Sequence, residues 1–318
     1  MSEHPAPNPI SLGYLLPTRE QIMRGVHDTA PLLDAARHAE TLGFDSLWVG
    51  DSLFARPRHD PLTLLAALAT ATQQPRLGTA VLLPALRNPV LLAQQLATID
   101  QLSSGRLIVG AGIAADAPPI HAEFRAAGVP FEKRVGRFVE GFNLCRALWR
   151  GEPVDWDGRW TLEQATLAPQ PVQPGGPPIW LASSVDAGVA RAARLFDGWF
   201  PIGPDAATIA RQQQLLEATA AAADRPRPAT AVYLTLCIDD DAKRAEQAID
   251  DYLTDYYQMP AAIMRRVQAC CGGTETQIVD FLQSFVDAGA DHLVLRIVGD
   301  QTTSLRTLAQ LKELLQPR

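Results

Sequence analysis

The feature that most constrains this chain is an alternation of short apolar runs with helix-spaced segments, sustained from residue 10 to residue 315. Strands are predicted at 10–16, 44–49, 77–83, 107–113, 178–182, 198–201, 229–238 and 292–297. Helices are predicted at 29–42, 61–72, 89–102, 131–149, 185–196, 206–223, 275–288 and 303–315, with extra helical material at 242–269. The punctuation agrees: Gly43 closes the first helix, Pro61 opens the second, and Ser103-Ser104-Gly105 ends the third. Such alternation builds a parallel sheet with right-handed crossovers. A closed barrel and an open doubly wound sheet both fit the rhythm. Eight strands and a terminal helix favour the α/β (β/α)8 TIM barrel. Two stretches interrupt it: 114–129 reads as a long loop after strand 4, and 151–176 as a small excursion, a hairpin, ahead of strand 5. With 242–269 they predict insertions after strands 4 and 7. Residues 1–9, polar and Pro-rich, are expected to be a flexible segment before one domain spanning 10–318.

Composition narrows the function. With 47% hydrophobic and 20% charged residues, the 318-residue chain can bury a large core. Its net charge is -7 and Lys and Arg are nowhere concentrated, which argues against a nucleic-acid partner. No apolar run approaches the roughly 20 residues that cross a bilayer, and residues 1–9 lack a secretory pattern. Cys145, Cys237, Cys270 and Cys271 form no paired framework and no C-x-x-C. The expectation is a cytoplasmic enzyme with structural thiols and no metal.

In a barrel, reactive groups lie at the strand C-termini and in the loops beyond them. That rule selects Asp51, Arg58 and His59 after strand 2, Arg87 after strand 3, and Asp116, His121 and Glu123 after strand 4. After strand 5 it selects Ser183, Ser184 and Asp186. Ser183 and Ser184 precede a helix, where free N–H groups bind phosphate or where a serine simply caps. Asp51 either accepts hydrogen bonds from a ligand or caps the turn at 52–54. His38 and His292 lie away from the rim and read as structural. Two motifs mislead. Gly50-Asp51-Ser52-Leu53 spells the block of the GDSL esterases, without the Asp-x-x-His such an enzyme needs near its C-terminus. Gly110 to Ala115 spells G-x-G-x-x-A, but Asp116, Pro118 and Pro119 follow where a helix must open.

Several passages together resemble the luciferase-like monooxygenase superfamily: Gly43-Phe44-Asp45-Ser46-Leu47-Trp48-Val49-Gly50-Asp51, Asp60-Pro61-Leu62-Thr63, Leu77-Gly78-Thr79-Ala80-Val81-Leu82 and Asp100-Gln101-Leu102-Ser103-Ser104-Gly105-Arg106. Gly128-Val129-Pro130-Phe131, Leu148-Trp149-Arg150-Gly151, Pro177-Pro178-Ile179-Trp180 and Asp197-Gly198-Trp199 continue in register. The resemblance implies a barrel binding FMN or the deazaflavin coenzyme F420, with a non-prolyl cis peptide at Ala80–Val81 against the ring. It places ring contacts on Asp51, Ala80, Val81 and Gly112 and phosphate contacts on Ser183, Ser184 and Val185. It also implies a homo-oligomer, a dimer. The chain departs from the pattern at Ser52, where relatives often carry His, at Ile113, where luciferase-type members place Arg, and at Ala115, where several deazaflavin dehydrogenases have Glu. Asp51, His59 and His121 are then the candidate catalytic residues, with Glu123 as a further substitute from a loop. The leading expectation is a two-component monooxygenase using reduced FMN from a separate reductase, with dioxygen and a small organic substrate. The alternatives are a deazaflavin oxidoreductase that transfers hydride and a flavin-binding protein without turnover.

Overall fold

The computed structural model describes residues 10–316. The expected segment 1–9 lies outside the described residues. In chain order the elements are β1 (Ser11–Leu15), α1 (Thr18–Met23), α2 (Ala30–Thr41), β2 (Ser46–Val49), α3 (Pro61–Ala71), β3 (Arg76–Thr79), α4 (Pro89–Leu102) and β4 (Leu107–Gly112). There follow α5 (Pro118–Ala126), α6 (Arg134–Leu148), β5 (Val154–Asp157), β6 (Thr161–Ala165), β7 (Ile179–Ala182), α7 (Asp186–Leu195) and β8 (Gly198–Trp199). The chain continues with α8 (Ala206–Ala222), β9 (Ala229–Ile238), α9 (Ala242–Tyr257), α10 (Ala261–Met264), β10 (Cys270–Gly273), α11 (Glu275–Asp287), β11 (His292–Ile297) and α12 (Gln301–Leu311).

The main sheet runs β10-β9-β11-β1-β2-β3-β4-β7-β8, and β9 also pairs with β8. This is the (β/α)8 barrel, with β10 as an additional strand on β9. The insertions fall after β4 and after β9, as the sequence predicts. Two readings need correction. The stretch 114–129 holds a helix, α5, because Pro118 and Pro119 occupy its first turn, where a missing N–H costs nothing. The extra material at 242–269 is helical as expected, in α9 and α10, but the strand β10 that follows it was not expected. The hairpin expected within 151–176 is β5–β6.

By contacts the described residues divide into two compact units, one of residues 10–17, 37–48 and 180–316, the other of residues 18–36 and 49–179. In the first, β1, β11 and β9 pair in parallel, with Gly13 opposite Val294 and Val294 opposite Tyr233. Gly13 is required there: a Cβ would stand 2.5 Å from both Ser46 Oγ and Trp48 Nε1. Trp48 packs against Trp180, Phe200 and His292 with ring centroids 5.2 to 5.7 Å away. Its Nε1 donates to Ser46 Oγ at 2.6 Å, and Ser46 Oγ lies 2.7 Å from His292 Nε2. His292 is thus a satisfied core residue.

In the second unit, α3, α4 and α6 bury Leu65, Leu68, Leu96, Phe138 and Phe142. Arg106 closes the C-terminus of α3, donating to the carbonyls of Ala69 and Thr72 at 2.8 and 2.9 Å and of Pro75 at 2.8 Å. Asp100, fully buried, accepts from Gln173 N at 2.9 Å and Gln173 Nε2 at 2.8 Å, so it fastens the stretch after the hairpin. The Asp100 to Arg106 passage is scaffold.

Candidate active site

The second unit carries most of the predicted site. β2 ends at Val49, and the next residues run past Arg58: a Cβ on Gly50 would meet Arg58 Nη1 at 2.0 Å. Asp51 follows, its side chain 4% exposed. It accepts from Leu83 N at 2.9 Å and from both terminal nitrogens of Arg87. Asp51 therefore ties the end of β2 to the chain beyond β3; the predicted turn at 52–54 is not capped by it. Burial works against the charge on Arg87, and Asp51 and then Asp60 outweigh it, so its pKa moves up. Asp60 caps α3 by accepting from Thr63 N at 2.8 Å.

The cap of the turn comes from elsewhere. Glu123 Oε1, on α5, accepts from Ser52 Oγ at 2.7 Å and from Phe54 N and Ala55 N at 2.8 Å each. Glu123 is fully buried and its Oε2 has no hydrogen-bond partner among the described residues. Sequence reasoning offered Glu123 only as a substitute acid. The available signal was Ile120 and Phe124 at helical spacing around it.

The Ala80–Val81 peptide is cis, as the resemblance implies. Both residues are half-buried. Ala80 N donates to Val49 O at 2.7 Å, and Leu82 pairs with the end of β4 through Leu82 N to Gly110 O at 2.8 Å and Gly112 N to Leu82 O at 2.9 Å. Gly112 is needed for this approach, since a Cβ there would meet Val81 Cγ2 at 2.8 Å. Ala114, just beyond, holds a φ of 78°, a left-handed conformation costly for a residue with a Cβ.

His59 Nε2 lies 3.1 Å from His27 O, and its Nδ1 is buried without a partner among the described residues. His121 is half-exposed, with Nε2 2.9 Å from Asp116 Oδ1 and its ring centroid 4.1 Å from that of Phe131. Among the described residues, His59, His121 and Asp51 form no hydrogen bond or ion pair with one another.

In the first unit, β7 ends at Ala182 and α7 starts at Asp186, so Ser183, Ser184 and Val185 form the approach to a helix N-terminus. Ser183 is half-buried; Ser184 and Val185 are exposed. Ser183 Oγ accepts from Val185 N at 3.3 Å, and a Cβ on Gly188 would stand 1.8 Å from that Oγ. Trp199 Nε1 donates to Ser183 O at 2.8 Å and Gln212 Nε2 to Ser184 O at 3.0 Å, which fixes the backbone of the pair. Arg211 forks onto Asp186 at 3.1 and 3.1 Å, and these bonds hold the Asp186 carboxyl below its ordinary pKa. Hydroxyls and helix N–H groups form a donor set suited to a phosphate, while the Arg211 guanidinium is taken up by Asp186.

The model of the family described as luciferase-like monooxygenase matches residues 10–292. The chain belongs to the luciferase-like monooxygenase family. Among curated members, the F420-dependent glucose-6-phosphate dehydrogenase of Nocardia farcinica (strain IFM 10152) is 34% identical over 174 residues, 53% of this chain and 52% of that one. This luciferase-like chain spans about half the length of the curated relatives it matches. Among solved structures, the monooxygenase RslO1 from Streptomyces bottropensis superposes with a TM-score of 0.79 at 23% identity, over 96% of this chain and 98% of that one. An F420-dependent secondary alcohol dehydrogenase in complex with an F420-acetone adduct gives 0.83 at 19% identity, over 97% and 100%. These two likenesses bear on the fold.

Proposed function

We propose that this luciferase-like chain is an oxidoreductase that transfers hydride between coenzyme F420 and a small organic substrate. The single observation carrying this reading is the 34% identity to a curated F420-dependent dehydrogenase of the same family. It reverses the order of the two sequence expectations, placing the deazaflavin ahead of reduced FMN. The donor set around Ser183 and Ser184 fits the phosphate that either coenzyme carries.

When bound, the coenzyme supplies the hydride chemistry. The protein's part is to hold, orient and exclude water. Ser183, Ser184 and Val185 are assigned to the phosphate. Ala80, Val81 and Gly112 are assigned to the ring. Asp51 holds Leu83 and Arg87, and so positions the chain that carries Ala80 and Val81. His59 is assigned the proton work: with Nε2 donating to the His27 carbonyl, Nδ1 is the base. His121 is the second choice and Glu123 the loop anchor.

The second reading is a monooxygenase supplied with reduced FMN by a separate reductase. It is favoured by Ala115, which stands where the resemblance places the Glu of several deazaflavin dehydrogenases. A fluorescence and absorbance titration of the purified protein with coenzyme F420 and with FMN, each oxidised and reduced, separates the two. Saturable binding of F420 at least tenfold tighter than FMN is expected; the opposite order overturns the deazaflavin reading. We further propose a cytoplasmic location and a homodimer; light scattering tests the dimer.

A further inference from the structure

Among the residues selected after β7, Asp186 alone has no role above. It is the first residue of α7 and follows directly on Ser183, Ser184 and Val185. An acid in the first turn stabilises a helix, because it meets the partial positive charge of the N-terminus. Beside serines assigned to a phosphate the same acid has a second effect. Its charge opposes an incoming anion.

Two neighbours on α8 hold this carboxylate in place. Arg211 reaches both of its oxygens at 3.1 Å, and Gln212 Nε2 donates to its Oδ1 at 3.0 Å. The same Gln212 nitrogen donates to Ser184 O at 3.0 Å. Gln212 is 1% exposed, so one buried amide fixes both the acid and the backbone of a serine assigned to the phosphate. Its Oε1 is buried with no hydrogen-bond partner among the described residues, the state of a group that a bound molecule completes. The side chains of Asp186 and Arg211 are 55% and 57% exposed, so an anion approaching this loop meets both.

The charges at the loop can be counted. Ser183, Ser184 and Gln212 are neutral, and the charges of Arg211 and Asp186 cancel. What remains is the helix terminus, equivalent to about half a positive charge. That remainder suits an anion of one charge. A second negative charge finds no counter-charge and must still give up its water. The two candidate coenzymes differ in this respect. The phosphate of coenzyme F420 is a diester with one negative charge. That of FMN is a monoester, with a second pKa of about 6 and hence close to two charges at about pH 8.

We propose that Asp186 is a specificity-determining residue of the coenzyme site, and that by neutralising Arg211 it selects a phosphodiester monoanion over a phosphate monoester dianion. Arg211 keeps the acid from repelling the monoanion, and Gln212 positions the acid against Ser184. The inference rests on the assignment of this loop to the coenzyme phosphate in the function proposed above. It does not depend on which ring the coenzyme carries.

The test is fluorescence titration of the full chain at about pH 8 with three ligands that share one ring and differ in charge. They are the ribityl compound without phosphate, its terminal phosphate, and the methyl ester of that phosphate. The set is made on the flavin ring and on the deazaflavin ring, and read on whichever ring binds tighter. The wild-type chain should bind the methyl ester at least threefold tighter than the phosphate. Asp186→Asn releases Arg211 and should tighten the phosphate at least fivefold. The ester should tighten about twofold, because attraction scales with the charge, and the uncharged compound should not change. Arg211→Gln leaves the acid unopposed and should do the reverse, weakening the phosphate at least fivefold and the ester about twofold. A purely structural role would move all three ligands alike, or both variants in one direction, and either result overturns the inference. So does a wild-type chain that binds the phosphate at least as tightly as the ester. Unchanged binding of the uncharged compound shows that a variant keeps its fold; should Asp186→Asn fail this, Arg211→Gln decides. A graded response found on the flavin ring alone counts against the deazaflavin reading and not against Asp186. No saturable binding on either ring overturns the coenzyme site and this inference with it.

Discussion

Arg87 grips Asp51 through both terminal nitrogens, Nη1 at 2.5 Å from Oδ2 and Nη2 at 3.2 Å from Oδ1. The Asp51 side chain is 4% exposed and that of Arg87 18%. A pair this buried loses most when only one charge is removed. Asp51→Asn leaves the guanidinium beside a neutral amide, with Asp60 at 3.4 Å as partial compensation. The expected loss is about 2–3 kcal/mol, under the 3–5 kcal/mol typical of a broken buried pair. Urea unfolding of Asp51→Asn, Arg87→Met and the double variant should return a coupling of about 1–3 kcal/mol. Additive losses would mean the two residues do not act as a clamp.

Glu123 should control the order of the loop after β2. One oxygen accepts from Ser52 Oγ, Phe54 N and Ala55 N, and Arg19 Nη1 reaches Ala55 O at 3.3 Å. Glu123→Ala strands two backbone donors and a hydroxyl, at about 1–3 kcal/mol for a group left unsatisfied. Hydrogen exchange at Phe54 and Ala55 should speed at least tenfold in Glu123→Ala and less in Glu123→Gln. Unchanged exchange would show that other contacts, Arg19 to Ala55 O and Arg56 N to Ser52 Oγ among them, hold the loop without Glu123.

The barrel was legible because its signals are local. Period-2 and period-3.6 patterns, Gly43 at a helix end and Pro61 at a helix start are read within a few residues. What escaped was set by distant partners. Glu123 meets Ser52 across 71 positions, and no local pattern announces that bond. Asp51 was read from its local sequence as a ligand contact or a turn cap, yet its partner lies 36 positions on. β10 was missed because Cys270-Cys271-Gly272-Gly273 has no apolar run. Its glycines serve a close approach instead, since a Cβ on Gly272 would stand 2.4 Å from the Ala245 carbonyl. Pro118 and Pro119 hid α5, being read as loop residues when they start a helix. The phosphate assignment at Ser183 and Ser184 needed only a strand end followed by a helix start, which is why sequence could propose it.

Removing both hydroxyls tests that assignment. The Ser183→Ala, Ser184→Ala double variant should lose about 1–3 kcal/mol of coenzyme affinity, the scale of hydrogen bonds to a charged group. The backbone bonds from Trp199 and Gln212 remain, so the fold should not change. An unchanged dissociation constant in the folded variant removes both serines from the phosphate site.

Burial pushes the Cys145 thiol up to about 12 and the Cys270 and Cys271 thiols up to about 11. A raised folded pKa means the native state keeps a proton that the unfolded chain releases from about pH 9 upward. The stability tied to it is complete below about 9 and is lost as pH rises through 11 to 12. The melting temperature should therefore fall between pH 9 and pH 11, and the fall should shrink in Cys145→Ala. At pH 8 the same thiols are protonated, so the native chain should alkylate with iodoacetamide much more slowly than the urea-unfolded chain. Cys145 is buried and Cys270 and Cys271 are half-buried, so native alkylation of Cys145 as fast as in urea would contradict this.

The last prediction separates the two histidines. His59 has Nε2 3.1 Å from a carbonyl oxygen, which can only accept, so that nitrogen carries the proton and Nδ1 is left as a buried acceptor. His121 points Nε2 at Asp116, whose side chain is 74% exposed, and rests its ring on Phe131. The first arrangement suits a base held in one tautomer; the second suits a surface ion pair worth little. His59→Gln should then lower kcat at least tenfold, about 1.4 kcal/mol of transition-state stabilisation, and change the pH profile of kcat/KM. KM should move little, because the loss is in the proton step. His121→Gln should stay within threefold of wild type in both constants. Asp51→Asn should lower kcat through displaced positioning, with the pH profile kept. If His121→Gln is the variant that loses turnover and the pH response, the proton work belongs to α5. If neither histidine variant is impaired, the buried Oε2 of Glu123 is the group to substitute next, with the same pH profile as the readout.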